Sequence, residues 1–280
     1  MGLIIGIDVG GSITKIAGMK GGEVVDSLQV RATDPIASLY GALGRFLMQT
    51  GLSLADLEHI MITGVGSSAV TQNIHGIPTS RVDEFQCVGR GGLFMTGLSE
   101  GLIVSMGTGT AFVHATQESN THIGGSGVGG GTLVGLSNAI LNVREIGNLM
   151  QLAQEGDLRN VDLSIKDITT NAVSNLTSSA TASNFGKLSE LATPSDIAMG
   201  LFNMVYQTIA MLAVFAVRGM ESKDVVLTGN LADTPICEPM FRVIGGMFDI
   251  VVHFPERVQY ITAIGAALSH NKQPRTPVEG

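Results

Sequence analysis

The sequence lacks the residues that several functional classes require. Two cysteines in 280 residues, Cys87 and Cys237, are too few for a disulfide framework or for a four-ligand zinc site within one chain. Sixteen Lys and Arg against 24 Asp and Glu give a net charge of -8. No basic face is implied, so neither nucleic acid nor an anionic membrane is expected as a partner. Charged residues reach only 14%, below the ~25% usual in soluble domains. The N-terminus has no basic region or cleavage site, and Asp8 interrupts its apolar run; both argue against secretion and for a cytoplasmic protein. The histidines have no metal-ligand spacing, and the two cysteines read as buried thiols.

Glycine is plentiful, with 37 residues, and apolar side chains make up 44%, which excludes a disordered chain. The run from Ile197 to Val217 is long enough to cross a bilayer. Against crossing, Asn203, Gln207 and Thr208 sit mid-run with no evident partner, where polar groups are costly. Thr193 before Pro194, with Asp196 three residues after the cap, reads as the start of a soluble helix. A helix apolar all round belongs in a core or a subunit interface; the expectation is a buried helix at a dimer interface.

The pattern along the chain is α/β. Leu3 to Asp8 reads as a strand, Val9-Gly10-Gly11 as a turn, Ser12 to Ala17 as a second strand and Glu23 to Val30 as a third. Ile36, Leu39, Leu43 and Leu47 have helical spacing, and Ile60-Met61-Ile62 is a short strand closed by Thr63-Gly64-Val65-Gly66. The pattern then restarts. Leu102 to Met106 leads into Gly107-Thr108-Gly109-Thr110 and a returning strand from Ala111 to Ala115, while Asp224 to Leu227 followed by Thr228-Gly229-Asn230 resembles the 60–66 segment. Two similar lobes across a cleft are expected, residues 1–100 and 101–280, with a Ser/Thr/Asn/Asp-rich, weakly helical insertion near 156–190. The tail from Lys272 is polar, contains two prolines and reads as frayed.

Three glycine turns can carry chemistry. In the first, Gly10, Gly11, Ser12 and Thr14 follow Asp8 and precede Lys15. Such a turn exposes backbone N–H groups to a phosphate; Asp8 can hold a metal-bound water, and Lys15 can meet phosphate charge. The second is Gly107 to Thr110. The third, Gly124 to Thr132, opens the helical pattern Leu133, Leu136, Ile140 and Leu141, an arrangement that offers free N–H groups and a helix dipole to an anion. It has neither the lysine and spacing of a Walker loop nor the GxGxxG of a dinucleotide fold. Each turn is also what an ordinary hairpin looks like; the three together argue for nucleotide phosphates.

The segments GIDVGGSITKIA (6–17), VDEFQCVGRGGLF (82–94), SMGTGT (105–110), GGSGVGGGTLVGL (124–136), SNFG (183–186), VVLTGN (225–230) and AIGAAL (263–268) resemble, in order along nearly the whole chain, the type II pantothenate kinases. The resemblance implies an actin/hexokinase-like fold of two ribonuclease-H-like lobes with ATP and Mg2+ in the cleft, a homodimer, and phosphorylation of the primary hydroxyl of pantothenate or of a close derivative such as pantetheine. It puts Glu84 on the family's catalytic glutamate, with Asp83 as competitor for the role of base. It wraps Gly10 to Ala17 around the phosphates and puts Thr108 near the γ-phosphate or the acceptor hydroxyl. Gly130, Gly131, Thr132, Leu133 and Val134 would line the triphosphate and ribose, and Gly229 and Asn230 the adenosine. Two positions depart from the family pattern. His122 stands where relatives carry an arginine that contacts the acid end of pantothenate, and Ala111 where they carry a hydroxyl. A single imidazole is a weaker grip on a carboxylate than a guanidinium fork. Pantetheine, an alternative alcohol, or an ATP-binding regulatory protein on the same fold are the alternatives these departures raise. A dehydratase-activator ATPase, which shares an iron–sulfur cluster between subunits, would need both cysteines at the dimer axis.

Overall fold

A computed structural model describes residues 2–11, 13–31, 34–171, 177–271 and 276–278. Two sheets are built on one plan. In the first, β1 (Leu3–Val9), β2 (Ile13–Lys20) and β3 (Glu23–Arg31) form an antiparallel meander, and β4 (Leu57–Thr63) and β5 (Thr79–Arg81) add in parallel on the other side of β1. Helix α1 (Pro35–Thr50) connects β3 to β4. It is started by Asp34, whose carboxylate accepts from the Ala37 N–H at 2.6 Å, with Pro35 at the first position, and is ended by Gly51 at φ 69°.

Helix α2 (Glu84–Thr96) leads to the second sheet, where the plan repeats. Strands β6 (Glu100–Met106), β7 (Thr110–Thr116) and β8 (Asn120–Ser126) form the meander. After α3 (Gly130–Leu141), α4 (Ile146–Ala153), a short β9 (Leu163–Ser164), α5 (Ile165–Ile168), β10 (Thr181–Ser183) and the long α6 (Pro194–Val217), strand β11 (Asp224–Thr228) joins β6 in parallel. Helix α7 (Cys237–Phe248) and strand β12 (Val251–His253) complete this sheet, in the order β12-β11-β6-β7-β8. The restart read from the sequence at Leu102 is therefore a repeat of topology. The last elements, α8 (Ile261–Leu268) and β13 (Thr276–Pro277), return to the first sheet. The tail is thus not frayed throughout: β13 pairs antiparallel with β5, and Val278 is buried in the first core. Residues 272–275 lie outside the described residues.

The layers run α1, first sheet, the crossed pair α8–α2, second sheet, then α6 with α3, α4 and α7. Small residues let the central pair approach closely. A Cβ added at Gly265 of α8 would stand 1.8 Å from the Cys87 carbonyl oxygen, and one at Gly91 of α2 would stand 2.1 Å from that of Ile261. Helix α8 meets β1 equally closely, because a Cβ at Gly6 would lie 1.9 Å from the Ala263 carbonyl oxygen.

The apolar run at 197–217 is the spine of the second core. Leu201, Phe202, Val205, Tyr206, Ile209 and Ala213 are buried against β6, β7, β11 and the flanking helices. Its start is the capping box read from the sequence: the Asp196 N–H donates to Thr193 Oγ1, and the Thr193 N–H to the Asp196 carboxylate. The structure corrects one expectation, that the mid-run polar groups lack partners. Asn203 Nδ2 donates to buried Asp162 at 2.5 Å, Gln207 Oε1 accepts from Asn184 Nδ2 at 3.1 Å, and Thr208 Oγ1 donates to the Met204 carbonyl at 2.7 Å. The first two of these bonds fasten Asp162 and Asn184 to α6.

Candidate active site

Strand register assembles the centre of the site. Asp8 on β1 is directly opposite Lys15 on β2 and Thr63 on β4, and Lys15 is opposite Gln29 on β3. Paired residues share a face, so Thr63, Asp8, Lys15 and Gln29 form a row across four strands, on the face that carries α8. In the second sheet the corresponding row is Thr228, Ser105, Ala111 and Gly125, on the face that carries α2. The two rows therefore stand on the facing sides of the two sheets, at the strand ends beside the turns at 10–11 and 107–109. The lone Asp8–Lys15 pair recognised in the sequence is half of a row that only the pairing reveals; Thr63 and Gln29 carried no signal beyond lying near glycine turns or in a strand.

Glu84, the first residue of α2, lies within reach of the charges of Asp8 and Lys15 in the first row. Its carboxyl is raised to about 6, first by burial and then by the nearby negative charge of Asp8, with Lys15 opposing. Asp8 is also raised, by burial foremost, with Lys15 again opposing. The Asp8 carboxylate has no hydrogen bond or ion pair among the described residues. Glu84 and Asp83 differ in their hydrogen bonds. Asp83 is the N-cap of α2, and its Oδ1 accepts from the N–H groups of Phe85 at 3.0 Å and Gln86 at 3.1 Å, so its lone pairs serve the helix. Glu84 makes no such bond.

The three glycine turns are placed around this centre, and their donors are distributed differently from the expectation. The Gly10 N–H closes the hairpin onto the Ile13 carbonyl at 3.1 Å, Gly11 is exposed, and Ser12 lies outside the described residues. Thr14 points to the opposite face, where it is fully buried and hydrogen-bonded to Ser38 of α1, a structural position rather than a ligand-facing one. The loop 127–132 is knitted to the 107–109 turn: the Gly130 N–H donates to the Gly107 carbonyl at 2.9 Å and the Gly131 N–H to that of Thr108 at 2.8 Å. These N–H groups are therefore not the free donors read from the sequence. Their glycines are needed for close approach, since a Cβ at Gly129 would lie 2.7 Å from the Thr108 carbonyl oxygen. Thr132 Oγ1 accepts from the Gly129 N–H and donates to the Gly127 carbonyl, and Leu133 is buried in the second core. Thr108 is exposed at the turn.

On the acceptor side, His122 of β8 is stacked on Phe85 of α2, ring centroids 4.0 Å apart and planes within 8°. That contact ties β8 to the first turn of α2, the turn that begins with Glu84. The imidazole edge faces the β7–β8 floor, where a Cβ at Gly125 would come within 3.7 Å of His122 Nε2; Gly125 is the register partner of Ala111.

Each sheet ends its fourth strand in the same way. Gly64 has φ 84° and ψ 163°, Gly229 has φ 96° and ψ 173°, and both require glycine. Each backs onto the end of the first strand of its sheet: a Cβ would lie 2.6 Å from the Val9 carbonyl oxygen at Gly64 and 2.3 Å from that of Met106 at Gly229. Beyond Gly229, the buried Asn230 Oδ1 has no hydrogen-bond partner, an acceptor without a donor of the chain's own.

These features fit a nucleotide carrying a hard divalent cation: oxygen donors only, a buried carboxylate without hydrogen bonds, backbone cleared by glycines, and an unpartnered amide oxygen. Among the described residues no group of three His, Cys, Asp or Glu forms a cation cage of its own, so a Mg2+ ion would take most of its ligands from phosphate and water. Cys87 and Cys237 are both fully buried, in different cores, and neither presents a sulfur to a second subunit.

Comparison with known proteins agrees with this geometry. A Thermus thermophilus ROK hexokinase shares the fold, with a TM-score of 0.55 at 13% identity over 95% of this chain and 98% of that one. An activator of 2-hydroxyisocaproyl-CoA dehydratase from Clostridium difficile, solved with bound ADPNP, superposes with a TM-score of 0.68 at 20% identity, covering 95% of this chain and 93% of that one. The architecture is thus the actin/hexokinase-like ATPase fold. A type II pantothenate kinase of Oceanobacillus iheyensis is 26% identical over 95% of this chain and 98% of its own length. The family model of Fumble matches residues 101–268. The chain is a phosphotransferase and belongs to the Fumble family, that of the type II pantothenate kinases.

Proposed function

We propose that this protein transfers the γ-phosphoryl group of ATP to the primary hydroxyl of pantothenate or of a close derivative such as pantetheine, opening coenzyme A synthesis. The observation that carries the reading is Glu84: a carboxyl held at about 6 beside Asp8 and Lys15, free of the capping duty that occupies Asp83. Phosphorylating an alcohol needs a carboxylate that orients the hydroxyl and takes its proton, and Glu84 serves as that group. Lys15 meets phosphate charge and moderates the two neighbouring carboxyls. Asp8 holds the metal through its hydration shell. Magnesium, when bound, neutralises charge on the phosphates of a loose transition state. Thr108 stands at the phosphate end, Asn230 receives the nucleoside, and His122 with Ala111 faces the far end of the acceptor.

Finer features belong to the same reading. The lobes divide at 100/101, with the insertion near 156–190. The protein acts in the cytoplasm as a homodimer; Leu212 and Phe215 of α6, 36% and 54% exposed, are apolar surface available to a second copy. Neither nucleic acid nor membrane is a partner. The departures at His122 and Ala111 favour pantetheine over pantothenate, and they also give weight to an ATP-binding regulator. A coupled ADP-release assay with ATP and Mg2+, run with pantothenate, with pantetheine and without acceptor, tests the reading. Acceptor-dependent turnover supports it. ATP binding without acceptor-dependent turnover would leave the regulator.

A further inference from the structure

Thr63 and Thr228 occupy equivalent places. Each is the last residue of the fourth strand in its sheet, each precedes a positive-φ glycine, and each pairs in register with the penultimate residue of the first strand, Asp8 for Thr63 and Ser105 for Thr228. Both are buried, at 0% and 1% exposure. Their hydroxyls differ. Thr228 Oγ1 donates to the Val258 carbonyl at 2.8 Å, whereas Thr63 Oγ1 is buried without a hydrogen-bond partner. The Cys87 thiol faces it as a weak acceptor for the hydroxyl's proton, and no donor of the chain reaches the hydroxyl's oxygen.

The neighbouring group also makes no hydrogen bond. Asp8 is a buried carboxyl with no hydrogen bond among the described residues, and its Oδ1 lies 2.5 Å from where a Cβ of Gly64 would stand, so the absence of a side chain at 64 is what leaves room for the carboxylate. A buried hydroxyl oxygen without a donor, in register with a carboxyl that makes no hydrogen bond among the described residues, in the one lobe whose row carries charge, marks a place built for something polar that the chain does not supply.

We propose that Thr63 is a positioning residue of the Asp8 site, its hydroxyl holding the hydration shell of the divalent cation that accompanies the nucleotide. This rests on the metal–nucleotide reading above, and the test separates the two. Thr63→Val removes the hydroxyl at constant shape; Thr63→Ser keeps it. Manganese bound in the presence of ADP is counted by electron paramagnetic resonance, and thermal unfolding is followed without metal or nucleotide. The expected result for Thr63→Val is an unfolding temperature equal to or above that of the wild type, because an unsatisfied hydroxyl is gone. Its affinity for manganese with ADP falls at least fivefold, and Thr63→Ser restores it to within twofold. Equal affinity in wild type and Thr63→Val overturns the role of Thr63 while leaving the metal–nucleotide reading standing. A Thr63→Val protein that unfolds at a lower temperature, with Thr63→Ser no better at binding, makes the hydroxyl structural. A wild type that takes up no manganese with ADP overturns both.

Discussion

Lys15 and Ala111 hold the same position in the two sheets. Lys15 is paired with Asp8 and Gln29 in the first, Ala111 with Ser105 and Gly125 in the second. One row therefore presents a carboxyl, an ammonium and an amide, and the other presents a hydroxyl, a methyl and a bare backbone. A duplicated scaffold has been given charge on one side of the cleft and space on the other. Phosphate and metal need charge, and an acceptor with a carbon skeleton needs space. The proposed division of labour, phosphate and metal on one side and acceptor on the other, rests on this asymmetry.

Replacing Lys15 by Met tests the charged half. Lys15 opposes the rise of both Asp8 and Glu84, so without it both carboxyls titrate at still higher pH. A base must be ionised to accept a proton, and the acid limb of the rate profile, expected near pH 6 in the wild type, moves up in the variant. The pH dependence of kcat/KM for both proteins checks this; an unmoved limb would separate Lys15 from Glu84.

Glu84→Gln removes the proton acceptor and keeps the shape. Phosphoryl transfer falls about 10²–10⁴-fold with ATP affinity nearly unchanged, measured by single-turnover kinetics and nucleotide titration; half the normal rate would sink the assignment. Stability moves the other way. The Glu84 carboxyl titrates at about 6 in the folded protein against 4.5 for an ordinary glutamate. Below pH 4.5 it is neutral in both folded and unfolded states and imposes no penalty. Above pH 6 it is ionised in both, and the folded state bears a penalty of at most about 2 kcal/mol. Glu84→Gln therefore unfolds at higher temperature than the wild type at pH 7, and the advantage disappears as pH falls through 6 to 4.5. Melting curves at pH 4.5, 6 and 7.5 report it.

Much of this was readable in the letters. The strand–glycine-turn–strand units, the Thr193 cap and the restart at Leu102 are local signals, and local sequence decides them. What was not readable is tertiary. Thr63 and Gln29 join Asp8 only through parallel and antiparallel pairing. Asp162 reaches Asn203 from 41 residues away in sequence. Phe85 and His122 meet because β8 runs alongside α2. The glycine loop at 127–132 misled in one respect: glycine permits free N–H groups and equally permits close backbone packing, and composition does not say which. Here Gly130 and Gly131 give their N–H groups to the 107–108 carbonyls.

The His122 departure predicts a change in acceptor preference. A single stacked imbalance governs it: an imidazole held face to face with Phe85 offers one edge donor to whatever lies over Gly125, where a guanidinium would offer a fork. His122→Arg should improve kcat/KM for pantothenate, which ends in a carboxylate, more than for pantetheine, which does not. Equal improvement for the two acceptors would remove the carboxylate argument. Phe85→Leu, which releases the ring, should raise KM for the better acceptor several-fold with ADP affinity unchanged.

Gly265→Ala tests the crossing of α2 and α8. The added methyl would stand 1.8 Å from the Cys87 carbonyl oxygen and 2.9 Å from the Gly91 nitrogen. Both are backbone atoms, which cannot swing aside as the end of a flexible side chain can. Alanine is the better helix former by about 1 kcal/mol, so propensity alone predicts stabilisation. Overpacking of a tight interface opposes it by about 1–3 kcal/mol or more, and a contact this short lies at the severe end. The variant should therefore unfold several degrees below the wild type. Because the displaced helix begins at Glu84, its turnover should fall more than its nucleotide affinity. Gly246→Ala, where a Cβ on α7 would meet nothing within 4 Å, is the matched control and should unfold at or above the wild-type temperature. If Gly265→Ala behaved like Gly246→Ala, the two central helices would not be in the backbone contact that sets the distance between the sheets.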